Sequence, residues 1–328
     1  MRTKLQSLKV FAGTISLVAA LIATGSAQAA DKVKMGSRNT NLDVILIEGG
    51  FAKKYGIDVD VVRVKTGIEM AEALIGGGVD VGIVGGAPLV SALRRTNKIV
   101  VVGAAWTSDG GYAKVLVRPD SPYKTLEDLK GKKIANKIGS GSYRALGDWC
   151  AKNDCKVSDF QILNTSPAAI IAALESGSVD AGIWFAPTTS IAVHRGIARI
   201  LTDFKGANLG AATWSARKDF VVNRNDVLVR FMAATIDAQE LIKKDPKKAA
   251  QLLASGLKKA GRDLPVPVLE MGMNDFDYVH GMLDGKLIKV YGDIFDAFKK
   301  RGKYKGDKPD FNKFLDASAY QAALKSRK

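Results

Sequence analysis

Four short segments of this chain carry the residues that could do chemistry, and all four suit a negative charge. Arg38, Asn39 and Asn41 offer a guanidinium and two amides, and Gly85-Gly86-Ala87-Pro88 offers backbone N–H groups with little side chain over them. Ser140, Gly141, Ser142 and Tyr143, led in by Gly139, offer hydroxyls on a glycine-rich turn. Trp184-Phe185-Ala186-Pro187-Thr188 offers an aromatic surface running into hydroxyl donors. Each segment closes where a helix is expected to begin. Helix N-termini carry unpaired N–H groups and the positive end of the helix dipole, so they receive anions. Glycines at 85, 86, 139 and 141 would let a solute approach the backbone, and Pro88 and Pro187 fit a first helical turn. No Asp or Glu lies in any of the four. The chemistry expected is therefore capture of an anionic or neutral solute. Any one segment alone reads equally well as an ordinary loop; it is the set that points to binding.

Reacting groups are missing by comparison. Asp80 and Asp180 form a symmetric pair, but they fall at the starts of their expected strands and read as turn or cap residues. His194 and His280 have no partner serine, cysteine or carboxylate at a recognisable spacing. Nothing resembles a nucleophile elbow, a phosphate-binding P-loop or a zinc-protease helix. Cys150 and Cys155 could form a short-loop disulfide or stay as free thiols, and both remain open. Without further cysteine or a neighbouring histidine they make no metal site, and no cofactor is implied. Trp106, Tyr112 and Trp214 could wall a pocket or pack a core.

The elements that must position the four segments alternate strand and helix. Strands are expected at 33–36, 59–64, 79–84, 99–105 and 113–117, then at 133–137, 160–164, 181–185, 198–203 and 212–217. Helices intervene at about 42–54, 67–76 and 88–95, with a short one at 126–129 capped by Thr125. Beyond Lys218 the chain reads as mostly helical. That alternation argues for an α/β fold with largely parallel sheets. Ligands bind beyond the carboxyl ends of such strands, which is where the four segments lie. One phrase is written twice: residues 73–83 and 173–183 agree at seven of eleven positions, and each soon meets Ala-Pro. A helix-turn-strand unit in two copies predicts two similar domains facing one another. The crossing strands at 113–117 and 212–217 would be the hinge of a clamshell.

Residues 1–29 read as a cleavable export signal: a basic start, an apolar stretch and Ala27-Gln28-Ala29 as the cleavage site. Removing Arg2, Lys4 and Lys9 takes the formal charge of +16 to +13. The basic residues are interleaved with acids, and no nucleic-acid-binding motif accompanies them, so nucleic acid is not an expected partner.

Several longer stretches are similar to the periplasmic solute-binding proteins of ABC importers in the nitrate, sulfonate and taurine group. Ser121-Pro122-Tyr123-Lys124-Thr125-Leu126-Glu127-Asp128-Leu129-Lys130-Gly131-Lys132-Lys133-Ile134-Ala135 resembles the segment opening the second domain there. Residues 166–174 running into 179–187 resemble taurine-binding members, and Ser215-Ala216-Arg217-Lys218-Asp219-Phe220 resembles the return strand. The resemblance spans about 31–240, and the helical tail more loosely. It implies a type II periplasmic binding fold, with two doubly wound α/β domains joined by a two-strand hinge. Lobe 1 would comprise 30–116 and 217–328, and lobe 2 would comprise 117–216. It implies a periplasmic monomer that delivers a small organic anion, an aliphatic sulfonate or taurine-like, to a membrane permease and its ATPase. Arg38, Asn39, Asn41, Gly85, Gly86, Ala87, Ser140, Gly141, Ser142, Tyr143, Trp184, Phe185 and Trp214 would line the cleft. Many sulfonate-type members carry an acid just before the proline of one or both Ala-Pro loops; here Gly86-Ala87 and Phe185-Ala186 stand there. An ammonium group would lack its counter-charge, which favours a simple sulfonate over taurine. Nitrate, bicarbonate, or a small carboxylate or aromatic solute is the alternative. A relative that makes the thiamine pyrimidine shares the fold, but its histidine and cysteine-rich chemistry has no counterpart in the four segments.

Overall fold

The computed structural model describes residues 30–207, 210–278, 285–300 and 302–327; the expected export signal and His280 lie outside them. The first sheet is fed by β1 (Asp31–Ser37), β2 (Ile57–Arg63), β3 (Val81–Gly85) and β4 (Ile99–Ser108). Between them run α1 (Asn41–Glu48), α2 (Phe51–Lys54), α3 (Gly67–Ile75) and α4 (Gly86–Leu93). The second sheet takes β5 (Lys114–Val117), β6 (Lys133–Asn136), β7 (Gln161–Asn164), β8 (Ala181–Trp184) and β9 (Arg199–Asp203). Its helices are α5 (Gly141–Cys150), α6 (Pro167–Glu175) and α7 (Thr188–His194). Strand β10 (Gly210–Arg217) returns to the first sheet. There follow α8 (Lys218–Asn223), α9 (Asn225–Lys244), α10 (Pro246–Lys259), α11 (Val266–Met271), α12 (Gly285–Lys300) and α13 (Ser318–Ser326).

The sheets share one design. Their strand orders are β2-β1-β3-β10-β4 and β7-β6-β8-β5-β9. In each, three strands run parallel, and the next is antiparallel to both its neighbours. That antiparallel strand, β10 or β5, is the one the chain enters on crossing from the other lobe. The crossing strands therefore belong wholly to the sheets they enter. The chain crosses between the sheets once after β4 and once after β9. Both faces of each sheet are covered. Val33, Ile45, Phe231 and Trp214 belong to the core on one face of the first sheet, and Leu89, Tyr291 and Phe295 to that on the other. The second sheet is flanked likewise, by Leu146 and Phe160 on one side and Ile170 and Leu174 on the other.

The repeated phrase folds twice into the same joint. Helices α3 and α6 end at turns whose Gly77 and Gly177 take φ of 77° and 70°, a left-handed conformation glycine adopts without a Cβ penalty. The aspartates that follow hold the neighbouring parallel strand. Asp80 accepts the Lys34 N–H at 2.8 Å and pairs with Arg217 at 2.7 Å. Asp180 accepts the Lys133 N–H at 3.0 Å and the Tyr123 hydroxyl at 2.8 Å. Both are scaffold, as their place at the strand entrance suggests.

One expectation changes: the single helix read over 42–54 is two helices, because Gly50 takes φ of 68° and breaks it. The tail is mostly helical as expected, and after α11 a segment at 272–278 runs across the end of β4, with Thr107 and Asp277 exchanging backbone hydrogen bonds of 2.9 and 2.8 Å. Cys150 and Cys155 are joined as a disulfide.

Candidate functional site

The loop after β1 is organised by a buried carboxylate. Asp43 accepts hydrogen bonds from Ser37 Oγ (2.6 Å), the Arg38 N–H (3.0 Å), Thr40 Oγ1 (2.7 Å) and the Val44 N–H (3.1 Å). Burial pushes its carboxyl above the ordinary range against those donors. Asn39, at φ 57°, supplies the left-handed residue the tight loop needs. Arg38 leaves this loop half-buried. Desolvation pushes its guanidinium below its ordinary value, with the Asp43 charge the lesser, opposing influence. Among the described residues no side chain or carbonyl is hydrogen-bonded to that guanidinium. Asn41 turns the other way, its Nδ2 donating to the Tyr278 hydroxyl at 3.4 Å.

The loop after β3 departs from expectation. Helix α4 begins at Gly86, and a Cβ there would come 2.6 Å from Ile294 Cδ1 of α12. The glycine makes room for a packed helix, so its Cβ side is closed by α12. Gly85 and Ala87 remain half-buried beside it.

In the second lobe, Ser140 caps α5 by accepting the Tyr143 N–H at 3.1 Å and shares a hydrogen bond with Ser142 at 2.9 Å. Ser142 is fully buried and donates to Asn136 Oδ1 at 2.8 Å. It supports the turn from within, where the sequence suggests contact with solute. The exposed member is Gly141, and Tyr143 is half-buried. A Cβ on Gly141 would lie 2.8 Å from the Tyr112 hydroxyl, so Tyr112 sits directly on the first turn of α5. Burial raises its phenol above the ordinary value.

Aromatic rings then run from lobe to lobe. Trp184 stacks on Phe185 at 4.5 Å, and Phe185 faces Tyr112 at 5.9 Å. Tyr112 stacks on Phe276 at 5.7 Å, which meets Trp106 at 4.4 Å. Trp106 and Tyr112 are thus ring neighbours of the inter-lobe region. Trp214 is not. It is fully buried in the first lobe, edge-on to Phe231 at 5.2 Å, so its expected place in the cleft is corrected to core packing.

The sequence reading missed the segment 272–278, which touches almost everything above. Gly272 packs on Ala186, the Tyr278 hydroxyl receives Asn41, and Phe276 fits between Trp106 and Tyr112. Asp275 reaches across to Lys114 of the second sheet at 3.4 Å, and Lys114 also pairs with Asp203 at 3.3 Å. These three charges border a cavity of about 690 Å³ between the lobes. Burial outweighs the Lys114 charge and pushes the Asp275 carboxyl up to about 6. A signal was present: Asp275-Phe276-Asp277-Tyr278 alternates acid and aromatic with the two-residue period of a strand.

Two sheets of one design, each covered by helices on both faces, with a cavity between them, define a two-lobed α/β fold. The chain belongs to the NMT1/THI5 like family, whose pattern it matches over residues 44–249. Among its relatives is the taurine-binding periplasmic protein of Escherichia coli K12, 33% identical over 194 residues, covering 58% of this chain and 59% of that one. The crystal structure of the periplasmic aliphatic sulphonate binding protein SsuA from Escherichia coli superposes with a TM-score of 0.70 at 24% identity, covering 87% of this chain and 92% of that one. The desulfurization enzyme DSZB also shares the fold, with a TM-score of 0.66 at 17% identity over 91% of this chain and 100% of that one. The fold is thus that of the periplasmic binding proteins, and it hosts an enzyme as well; the relatives matched by sequence are binding proteins.

Proposed function

We propose that this chain is the exported solute-binding component of an ABC importer. It captures a small organic anion, a simple aliphatic sulfonate before others, between its lobes and hands it to a membrane permease and its ATPase. Arg38 carries the reading. A half-buried guanidinium with no hydrogen-bond partner among the described residues keeps its donors available, and an anionic oxygen pair would engage them through bidentate hydrogen bonds. The α5 N-terminus, with Ser140, Gly141 and Tyr143, would offer further donors to the same anion from the other lobe. Trp184 and Phe185, extended by Tyr112, supply apolar surface for the remainder of the solute. Asn39, Asn41, Gly85 and Ala87 complete the first-lobe side.

Taurine fits less well than a plain sulfonate. Its ammonium needs a carboxylate, the four loops hold none, and Asp275 is already engaged by Lys114. Nitrate, bicarbonate or a small carboxylate would use the same donors and leave the aromatic surface idle. Chemistry of the cysteine kind finds no support, since both cysteines are bonded to each other. The lobe division we place at the two connections, just ahead of β5 and β10.

A thermal-shift panel of alkanesulfonates, taurine, nitrate, bicarbonate and short carboxylates tests the ligand class. A solute binding only the folded state at a hundred times its Kd adds about 2.7 kcal/mol of stability. Alkanesulfonates should raise the melting temperature most; a panel that leaves it unmoved would sink the reading.

A further inference from the structure

The net positive charge is not used by any part of the anion site beyond Arg38, and much of it is concentrated in one place. Across residues 299–308 six of ten positions are Lys or Arg, against the single acid Asp307. The run begins in the last turn of α12, where Lys299 and Lys300 complement the helix dipole. That accounts for two of them. Lys303 and Lys305 lie beyond the helix, on a turn bounded by Gly302 and Gly306 with φ of 70° and 82°.

This turn is fastened, not loose. Tyr304 at its centre is buried; its hydroxyl bonds Ser91 of α4 at 2.5 Å, and its ring packs on Phe295 and Phe298 at 5.5 and 5.0 Å. The Arg94 guanidinium lies over the same ring at 4.1 Å and donates to the Lys305 carbonyl at 2.9 Å. With Tyr304 turned inward, Lys303 and Lys305 are exposed on either side of it, next to exposed Lys299 and Lys300. Of the neighbouring lysines, Lys308 is neutralised by Asp296 at 2.6 Å, and Lys303 only rests over the Phe298 ring at 5.7 Å. Lys299, Lys300 and Lys305 have no acidic partner among the described residues. A rigid display of unneutralised lysines fits a broad, diffuse anionic surface better than a small ion, because it offers no concavity and no converging donors.

We propose that Lys299, Lys300, Lys303 and Lys305 dock the protein against an anionic membrane surface, through acidic phospholipid headgroups. The contact is electrostatic and reversible, concentrating the protein near the membrane where its permease would lie. It rests on the reading of the chain as an exported importer component, but it uses no part of the solute site.

The test is co-sedimentation of the ligand-free protein with vesicles of phosphatidylcholine containing phosphatidylglycerol, and with phosphatidylcholine alone. Binding is expected only to the acidic vesicles, and it should weaken with added salt. Each lysine held near such a surface is worth roughly five-fold in affinity. The double variant Lys303→Gln/Lys305→Gln should therefore lose roughly twenty-five-fold. The control Lys53→Gln/Lys247→Gln removes the same charge from α2 and α10, which pack on the other face of the first sheet, and should bind like wild type. Wild type that ignores acidic vesicles overturns the proposal, and so does an equal loss in the two doubles, which would make the effect one of net charge. Neither outcome touches solute binding, which the thermal-shift panel reads separately.

Discussion

At the scale of the residue, the anion site divides into groups that would touch solute and groups that hold them. Arg38 is of the first kind; Asp43 and Ser142 are of the second. Ser142→Ala removes the one hydrogen bond that the buried Asn136 Oδ1 has among the described residues, where its Nδ2 has no partner. We expect a loss of about 1–3 kcal/mol in denaturant unfolding, with weaker solute affinity as a by-product; unchanged stability would mean the network matters little. Asp275 makes a different prediction. Its folded value, about 6, lies above the ordinary 3.8, so it binds its proton more tightly in the folded state. Its contribution to stability is present at acid pH and is lost as pH rises through about 6. Relative to Asp275→Asn, wild type should therefore lose roughly 1–3 kcal/mol across that window. A difference between the two proteins that does not vary with pH would show that Asp275 does not titrate there. None of this was legible in sequence, because burial of a carboxylate is a property of what packs around it.

At the scale of the element, the sequence was most informative where local pattern and tertiary role coincide. The twin helix-turn-strand joints, the cap at Thr125 and the strand ends carrying the four loops all follow from periodicity and turn chemistry. It was least informative where glycine had two uses. Gly141 and Gly86 look alike in sequence, yet one is exposed with Tyr112 over its Cβ side and the other is buried against Ile294. Trp214 failed for the same reason: an aromatic at a strand position can face a core or a cleft, and only packing decides. Gly141→Ala separates the roles. Alanine is tolerated in a first helical turn at a cost or gain under about 1 kcal/mol, so the melting temperature should barely move. The new methyl must displace the Tyr112 hydroxyl, however, and solute affinity should fall several-fold. An unaltered affinity would remove the contact between Tyr112 and α5 from the site.

At the scale of the whole molecule, two sheets of one design exchange their antiparallel strands, and the segment 272–278 ties both lobes to the connections. The two-domain plan was readable from the duplicated phrase. The strap was not, since its meaning lies in contacts with Asn41, Ala186, Trp106 and Lys114 that are distant in sequence. Two short connections permit closure about a solute, and small-angle scattering should show a smaller radius of gyration with saturating ligand; an unchanged radius would argue for a rigid body. The most direct measurement is a calorimetric titration of a simple alkanesulfonate into wild type and Arg38→Met. The account predicts one site per chain in wild type, and a loss of roughly thirty-fold or more in the variant as a desolvated charge pair is removed. Equal affinity in the two proteins would contradict it.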